Sequence, residues 1–494
     1  MGRKGQVQRS RNTVASRNEK NIKKEDKEIA AYVDKLLRLS TLPQHVNLAK
    51  ALENQREINA ITDKIKLLEA NKKHQNEVSV GNRTSAVTIE RFTNWIRENG
   101  ADFKGCDIKE IEGFELGLEV NMQIPISSLV ITVPRKLMMT AELASENELK
   151  GLVKKDQILN NMPNVTLAIF LLFEKFKKES FWGPYIDILP RDYTTVLYFN
   201  VDELEELKGS PTLEIALKQT KCIARQYAYF HKLFHTSEDP ISRFMREKFT
   251  YVEYCWAVST VMTRQNTIPS EDGQCMINAL IPLWDMCNHT NGTVSTQYNP
   301  ILHQSECFAL KDFEPGEQFF IFYGPRTNAE LFIHNGFIYE DNSHDGYWIR
   351  LGISKSDNLE EKRTKLLQKL AISPTSDFFI KKGSEPIDGA LLAFLRIFNM
   401  NEEQLQHWLE SDRADDLRYS QCALDTSLEK KSWTFLQARL RLLLGIYKTS
   451  IEEDQKLLAG KQLNANKRLA VGMRAIEKKI LASAVEYVDQ YIKQ

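Results

Sequence analysis

The sequence predicts an α+β fold in which two distant β-rich stretches build one site, and three observations carry that prediction. Strand character is concentrated in residues 108–134 and again in 278–324. Between them, 146–262 reads as an almost continuous helical block. Beyond residue 325 the pattern is helical nearly to the last residue.

Composition bounds the function. A chain of 494 residues exceeds what one hydrophobic core serves, so two or three domains are expected. Hydrophobic residues make up 42% and charged residues 27%, as in an ordinary soluble protein. Lys+Arg and Asp+Glu are both 66, so net charge points to neither a nucleic acid nor a membrane and leaves a protein partner open. The seven cysteines never form a C-x-x-C pair, which argues against a zinc knuckle or disulfide framework and for reduced thiols; no metal is expected. The longest apolar run, Leu167–Phe173, is far too short to cross a bilayer. No signal peptide is read, and Met1-Gly2 lacks the Ser or Thr at position 6 that myristoylation would require.

Residues 1–27 form a basic tail, read as disordered; a solvated tail is favoured over a nuclear address or an RNA-brushing arm. Residues 28–103 read as helical. Ile29, Tyr32, Val33, Leu36 and Leu37 mark one apolar face, and Ile58, Ile61, Ile65 and Leu68 another, which predicts a hairpin. After Gly81-Asn82-Arg83, a helix over about Ile89–Glu98 is stopped by Asn99-Gly100. Ile108–Pro134 alternates as a β-ribbon broken at Gly113 and Gly117, and Val133–Thr140 leaves it for the helical region. Helices are expected at Thr166–Lys177, Thr212–Lys232 and Tyr251–Val261, with Phe181–Tyr185 as an aromatic turn. The predicted domains are 1–27, 28–103, 104–324 with its insertion at about 146–262, and 325–494. In the last, a helix over Asn328–His334 closes at Asn335-Gly336, and a strand at Tyr347–Leu351 precedes helices only.

Chemistry concentrates in Ile281–Gly292. A surface loop has no need of Trp284, and a buried strand offers no easy partners to Asp285, Asn288 and His289. The stretch reads as a half-buried polar constellation suited to a small molecule, the alternative being a strand end whose polar side chains satisfy backbone groups. Asp312–Gln318 then reads as a turn, Phe319–Phe322 as a strand, and Tyr323-Gly324 ends it.

Asn288-His289, followed by Gly316-Glu317 and Tyr323-Gly324, resembles the two signature segments of the SET-domain methyltransferases. The resemblance implies a SET-domain β fold with a pseudoknot-like site and an S-adenosyl-L-methionine cofactor. The size of the helical insertion and the missing cysteine cluster after Tyr323-Gly324 narrow the likeness to the branch resembling the Rubisco large-subunit methyltransferase, whose all-α C-terminal domain binds the protein substrate. Where that family has a G-x-G loop, this chain has Glu115-Leu116-Gly117, with Gly113 placed to supply the lost flexibility. By the resemblance, Phe114, Glu115 and Leu116 lie against the cofactor, and Arg264 takes its methionine carboxylate. Asp285, Met286, Cys287, Asn288 and His289 form a wall of the pocket. Asn335, Gly336 and Phe337 close on the adenine, and Arg83 reaches in from the N-terminal side.

Ala224–Phe230, Thr263–Asn266, Ile281–Gly292 and Ile321–Gly324 resemble more narrowly the SET enzymes that methylate the tele nitrogen of an actin histidine. That implies actin as partner, Tyr323 facing the methyl, Asn266 bonding the imidazole, Trp284 as a flat wall, and Arg225 and Arg326 on the substrate peptide. The chemistry is coherent: a histidine of pKa about 6.5 is mostly neutral at pH 7, whereas a lysine of about 10.4 must first lose a proton. A protein-lysine methyltransferase and a non-catalytic SET-like scaffold are the alternatives. The expected molecule is a monomer in the cytoplasm, with the nucleus as a second address.

Overall fold

The computed structural model describes residues 24–43, 47–73, 82–422 and 424–493. Most of the predicted basic tail, and Gly81, lie outside them. Contacts divide the chain into two units that do not follow its linear order: one takes residues 1–201, 217–324 and 334–336, the other 202–216, 325–333 and 337–494.

In the first unit, helices at 24–41 and Leu48–Lys73 bury the residues that the sequence periodicity selects, among them Ile29, Val33, Ile58 and Ile65. A carboxylate secures the second helix to the insertion. Glu69 accepts the Tyr227 hydroxyl at 2.6 Å and the Tyr251 N–H at 2.9 Å. The helix Ala86–Glu98 begins where Ser85 accepts the Thr88 N–H, and Gly100 beyond its end takes φ +88°. Within the insertion, Pro163–Phe176 is buried on nearly every side, and Tyr251–Arg264 packs against it.

Three sheets make up the β region. One joins Cys106–Ile111, Glu115–Val120, Gln318–Ile321 and Asn288–His289; a second joins Asp102–Phe103, Leu129–Pro134, Gln304–Phe308 and Thr296–Asn299. The third joins Met139–Thr140, Met276–Leu280 and Gln265–Pro269. The single ribbon expected over 108–134 is therefore two pieces in different sheets. Pro125 brings no N–H to a ladder and Ser127 sits at φ +64°, so the chain turns out of the first sheet before Leu129. Met139–Thr140, expected to enter a helix, instead pairs with Leu280 and Ala279; Thr140 then caps the short helix Ala141–Ala144.

The second unit is mainly helical, and the expectation of an all-α domain needs correcting. Gly346–Gly352 pairs antiparallel with Thr375–Lys381, and no strand was expected at the latter. Only Phe378 and Ile380 of that strand are buried, too little alternation to show against its polar neighbours. The helix expected over Asn328–His334 opens with a Thr327/Glu330 capping box and widens to a π-helix over Leu331–Asn335.

Within this unit Glu477, on the helix Ala465–Lys493, is buried and accepts hydroxyls from Ser210 at 2.8 Å, Thr212 at 2.9 Å and Tyr447 at 2.9 Å. Burial outweighs these donors and raises its pKa to about 7. A carboxyl raised in the folded state stabilises fully below its unfolded pKa of about 4.5 and progressively less up to about 7. Glu477→Gln keeps the shape without the charge. Urea unfolding should therefore show wild type losing about 3 kcal/mol relative to the variant between pH 4.5 and 7.5; a pH-independent difference would contradict this.

Candidate active site

The strand Met276–Leu280 delivers the chain into a strained turn. Leu283 takes φ +71°, ψ −52°, and the Trp284 N–H donates to the Pro282 carbonyl two residues back at 2.9 Å. This γ-turn is costly for a residue with a Cβ, and such strain persists where the surroundings enforce it. It turns Trp284 and Met286 inward, both buried, and leads to the short strand Asn288–His289.

That strand runs parallel to Phe320–Ile321, bringing the two signature segments side by side. The Tyr323 N–H donates to His289 Nδ1 at 3.2 Å, so in the neutral ring the proton sits on Nε2. The Tyr323 hydroxyl donates to the Cys287 carbonyl at 2.7 Å, and the two rings, His289 and Tyr323, lie 5.1 Å apart. Asn288 donates from Nδ2 to Gln318 Oε1 at 2.9 Å. A Cβ at Gly117 would stand 2.8 Å from Ile111 Cδ1 and 3.1 Å from Asn288 Nδ2, so close approach fixes glycine there. Glu115, by contrast, adopts φ +59° with a Cβ, and its carboxylate pairs with Arg83. Beside it, half-exposed Phe114 meets the Phe320 ring edge-on and Leu116 is buried.

Behind this wall lies a buried ion pair. Arg264 donates to the Asp285 carbonyl at 2.5 Å and stands 3.5 Å from Asp285 Oδ2, which also accepts the Tyr185 hydroxyl at 2.5 Å. Burial pushes the Asp285 carboxyl upward, opposed chiefly by Arg264. Arg83 donates from Nε to the Ile188 carbonyl at 2.9 Å, and burial together with the charge of Arg264 lowers its pKa. Two atoms of the ion pair, Arg264 Nε and Asp285 Oδ1, are buried without a hydrogen-bond partner. Each such group costs roughly 1–3 kcal/mol, so together they mark where a polar ligand would pair.

Asn266, in the strand Gln265–Pro269, donates from Nδ2 to the Arg264 carbonyl at 3.2 Å. Asn335 donates to the Thr263 carbonyl at 3.2 Å. Gly336, at φ +75°, accepts the Thr194 hydroxyl at 2.6 Å, and a Cβ on it would lie 2.8 Å from the Thr194 carbonyl carbon. Arg225 stands exposed on the helix Thr212–Thr236, near Cys222 of its own helix, while Phe337 and Arg326 belong to the other unit. Sequence reasoning missed Tyr185, Gln318 and Tyr193, the last buried close to Arg264 with its hydroxyl 2.8 Å from that of Thr260. Tyr185 lay within the stretch read only as an aromatic turn, and nothing local to Tyr193 or Gln318 announces a distant partner.

A family model described as Rubisco LSMT substrate-binding matches residues 354–481. An actin-histidine N-methyltransferase of Gallus gallus is 45% identical over 408 residues, covering 81% of this chain and 69% of the relative. Those of Xenopus tropicalis and Homo sapiens are 45% identical over 396 residues, covering 79% of this chain and 68% and 67% of theirs. Among solved structures, the SET domain of LSMT bound to lysine and AdoHcy aligns with a TM-score of 0.65 at 22% identity, over 82% of this chain and 91% of that one. Rubisco LSMT bound to AdoMet aligns at 0.64 and 22%, over 82% and 92%. The SET fold implied by the sequence resemblance is thus the fold of the chain.

Proposed function

Because the chain belongs to the actin-histidine N-methyltransferase family, we propose that the site around Asn288, His289 and Tyr323 takes S-adenosyl-L-methionine and methylates the tele nitrogen of an actin histidine. The observation that carries this reading is Tyr323, whose hydroxyl ties the second signature segment to the Cys287 carbonyl of the first. The residues present fit the cofactor. The partnerless Arg264 Nε is a buried cationic donor suited to a carboxylate, and the side chains of Ile111 and Asn288 stand so close to Gly117 that no larger residue fits there.

When bound, the cofactor supplies an electrophilic methyl on a positively charged sulfur. Tyr323 presents an aromatic ring and an oxygen whose proton is committed to Cys287, both favourable to positive charge. Trp284 gives a planar wall to an imidazole. The Asn266 amide, steadied by the Arg264 carbonyl, retains a second N–H and an oxygen with which to choose between the two imidazole nitrogens. A neutral histidine needs no strong general base, and positioning with exclusion of water carries the burden. Arg225 and Arg326 are proposed to meet the substrate peptide. Seven free cysteines among the described residues support a cytoplasmic place of work.

The test mixes purified protein, labelled cofactor and actin, and locates the methyl by mass spectrometry. Label on a histidine supports the reading, label on lysine transfers the protein to the lysine-directed class, and no label on either overturns it. Asn266→Ala should lower kcat/KM for actin by roughly 10- to 100-fold through lost alignment, with cofactor affinity unchanged. Equal loss of cofactor affinity would assign Asn266 to the other half of the pocket.

A further inference from the structure

We propose that Tyr185 is a positioning residue for methyl transfer: it holds the Asp285 carboxylate so that Asp285 and Arg264 jointly receive the zwitterionic amino-acid end of the cofactor. The inference rests on the reading above that the pocket takes S-adenosylmethionine, and deepens it.

Tyr185 comes from the short helix Gly183–Ile188 of the insertion, is 1% exposed, and packs its ring 6.5 Å from that of Phe92. Its hydroxyl meets one oxygen of Asp285, and Arg264 approaches the same oxygen. The other oxygen, Oδ1, is the partnerless one, as is Nε on the Arg264 side. One buried place therefore offers an unmet cationic donor and an unmet anionic acceptor. A ligand carrying only a carboxylate would answer Arg264 and leave Asp285 facing like charge; one carrying only an amine would do the reverse. An α-amino-acid group has a carboxylate for Nε and an ammonium for Oδ1.

The carboxylate must be ionised and aimed for this to work. Burial opposes ionisation, while Arg264, Tyr185 and Arg83 favour it; Tyr193 and Cys287 are the other titratable groups packed close by. A phenylalanine at 185 would keep the packing and remove the bond that pins Oδ2. Oδ1 would then rotate or take up a proton, and its acceptor role would be lost.

The test compares Tyr185→Phe with Tyr227→Phe, which breaks a chemically similar buried tyrosine–carboxylate bond to Glu69. Binding of S-adenosylhomocysteine and of 5′-methylthioadenosine, which lacks the amino-acid end, is measured by calorimetry on the full chain. Tyr185→Phe should weaken S-adenosylhomocysteine about tenfold, leave methylthioadenosine unchanged, and raise cofactor KM with kcat nearly constant. The acid limb of its cofactor KM should also move to higher pH. Tyr227→Phe should lower Tm comparably without changing either affinity. Equal weakening of both ligands, or of S-adenosylhomocysteine in both variants, would overturn the proposal. So would unchanged binding in Tyr185→Phe. Wild-type protein that binds neither ligand would instead overturn the reading of the pocket, and this inference with it.

Discussion

Tyr323→Phe is expected to lower kcat by roughly 100- to 1,000-fold while the protein stays folded. The substitution removes one oxygen atom. The ring remains, as does the backbone N–H that holds His289, so the segments still lie together through Phe320–Asn288 and Ile321–His289 pairing. What disappears is the bond to the Cys287 carbonyl, which fixes the ring's orientation, and the oxygen proposed above to favour positive charge on the cofactor. One lost hydrogen bond costs about 1 kcal/mol of stability and shifts Tm by only a few degrees. Single-turnover kinetics beside a thermal melt separate the two effects. A rate within threefold of wild type would remove Tyr323 from the chemistry.

Asp454→Ala should be the most damaging single change to stability, at about 3–5 kcal/mol. Its side chain is 0% exposed and lies 2.9 Å from Arg474 and 2.6 Å from Lys478, themselves 6% and 2% exposed. Alanine leaves two buried cations facing each other. Glu206 still balances Arg474, and carbonyls of Thr449 and Ser450 still accept from Lys478, which keeps the loss from being larger. Denaturant unfolding measures it, and Asp454→Asn should fall between alanine and wild type. A loss under about 1 kcal/mol, typical of an exposed pair such as Lys109–Glu119, would show that the cluster tolerates charge.

The legible parts of this fold are those whose signals are local. Asn99-Gly100 stops a helix where the sequence places its end, although the helix starts at Ala86 and not Ile89, and the apolar stripes of the first two helices need no partner to be seen. Asn288-His289 and Tyr323-Gly324 were readable as a pair, and the structure lays them adjacent. What stayed hidden depends on remote partners. Leu129–Pro134 reads as a continuation of the preceding ribbon until Gln304–Phe308 is known to pair with it. Thr375–Lys381 has two inward residues and becomes a strand only beside Gly346–Gly352. The left-handed Leu283 carries no residue-type signal at all, since leucine is among the last residues expected at φ +71°. Tyr185 gains a role only when residue 285, a hundred positions later, folds against it.

The excursion of residues 202–216 into the second unit bears on how this chain can be cut. Glu203 binds Asn464 and Asn466, Glu206 binds Arg474, and Ser210 and Thr212 bind Glu477. A truncated 337–494 fragment would thus expose an ionic seam whose other half was synthesised more than a hundred residues earlier. Cut out with residues 202–216 left behind, that fragment would keep Arg474 and Glu477 without these partners and is expected to be less stable than the unit that includes them.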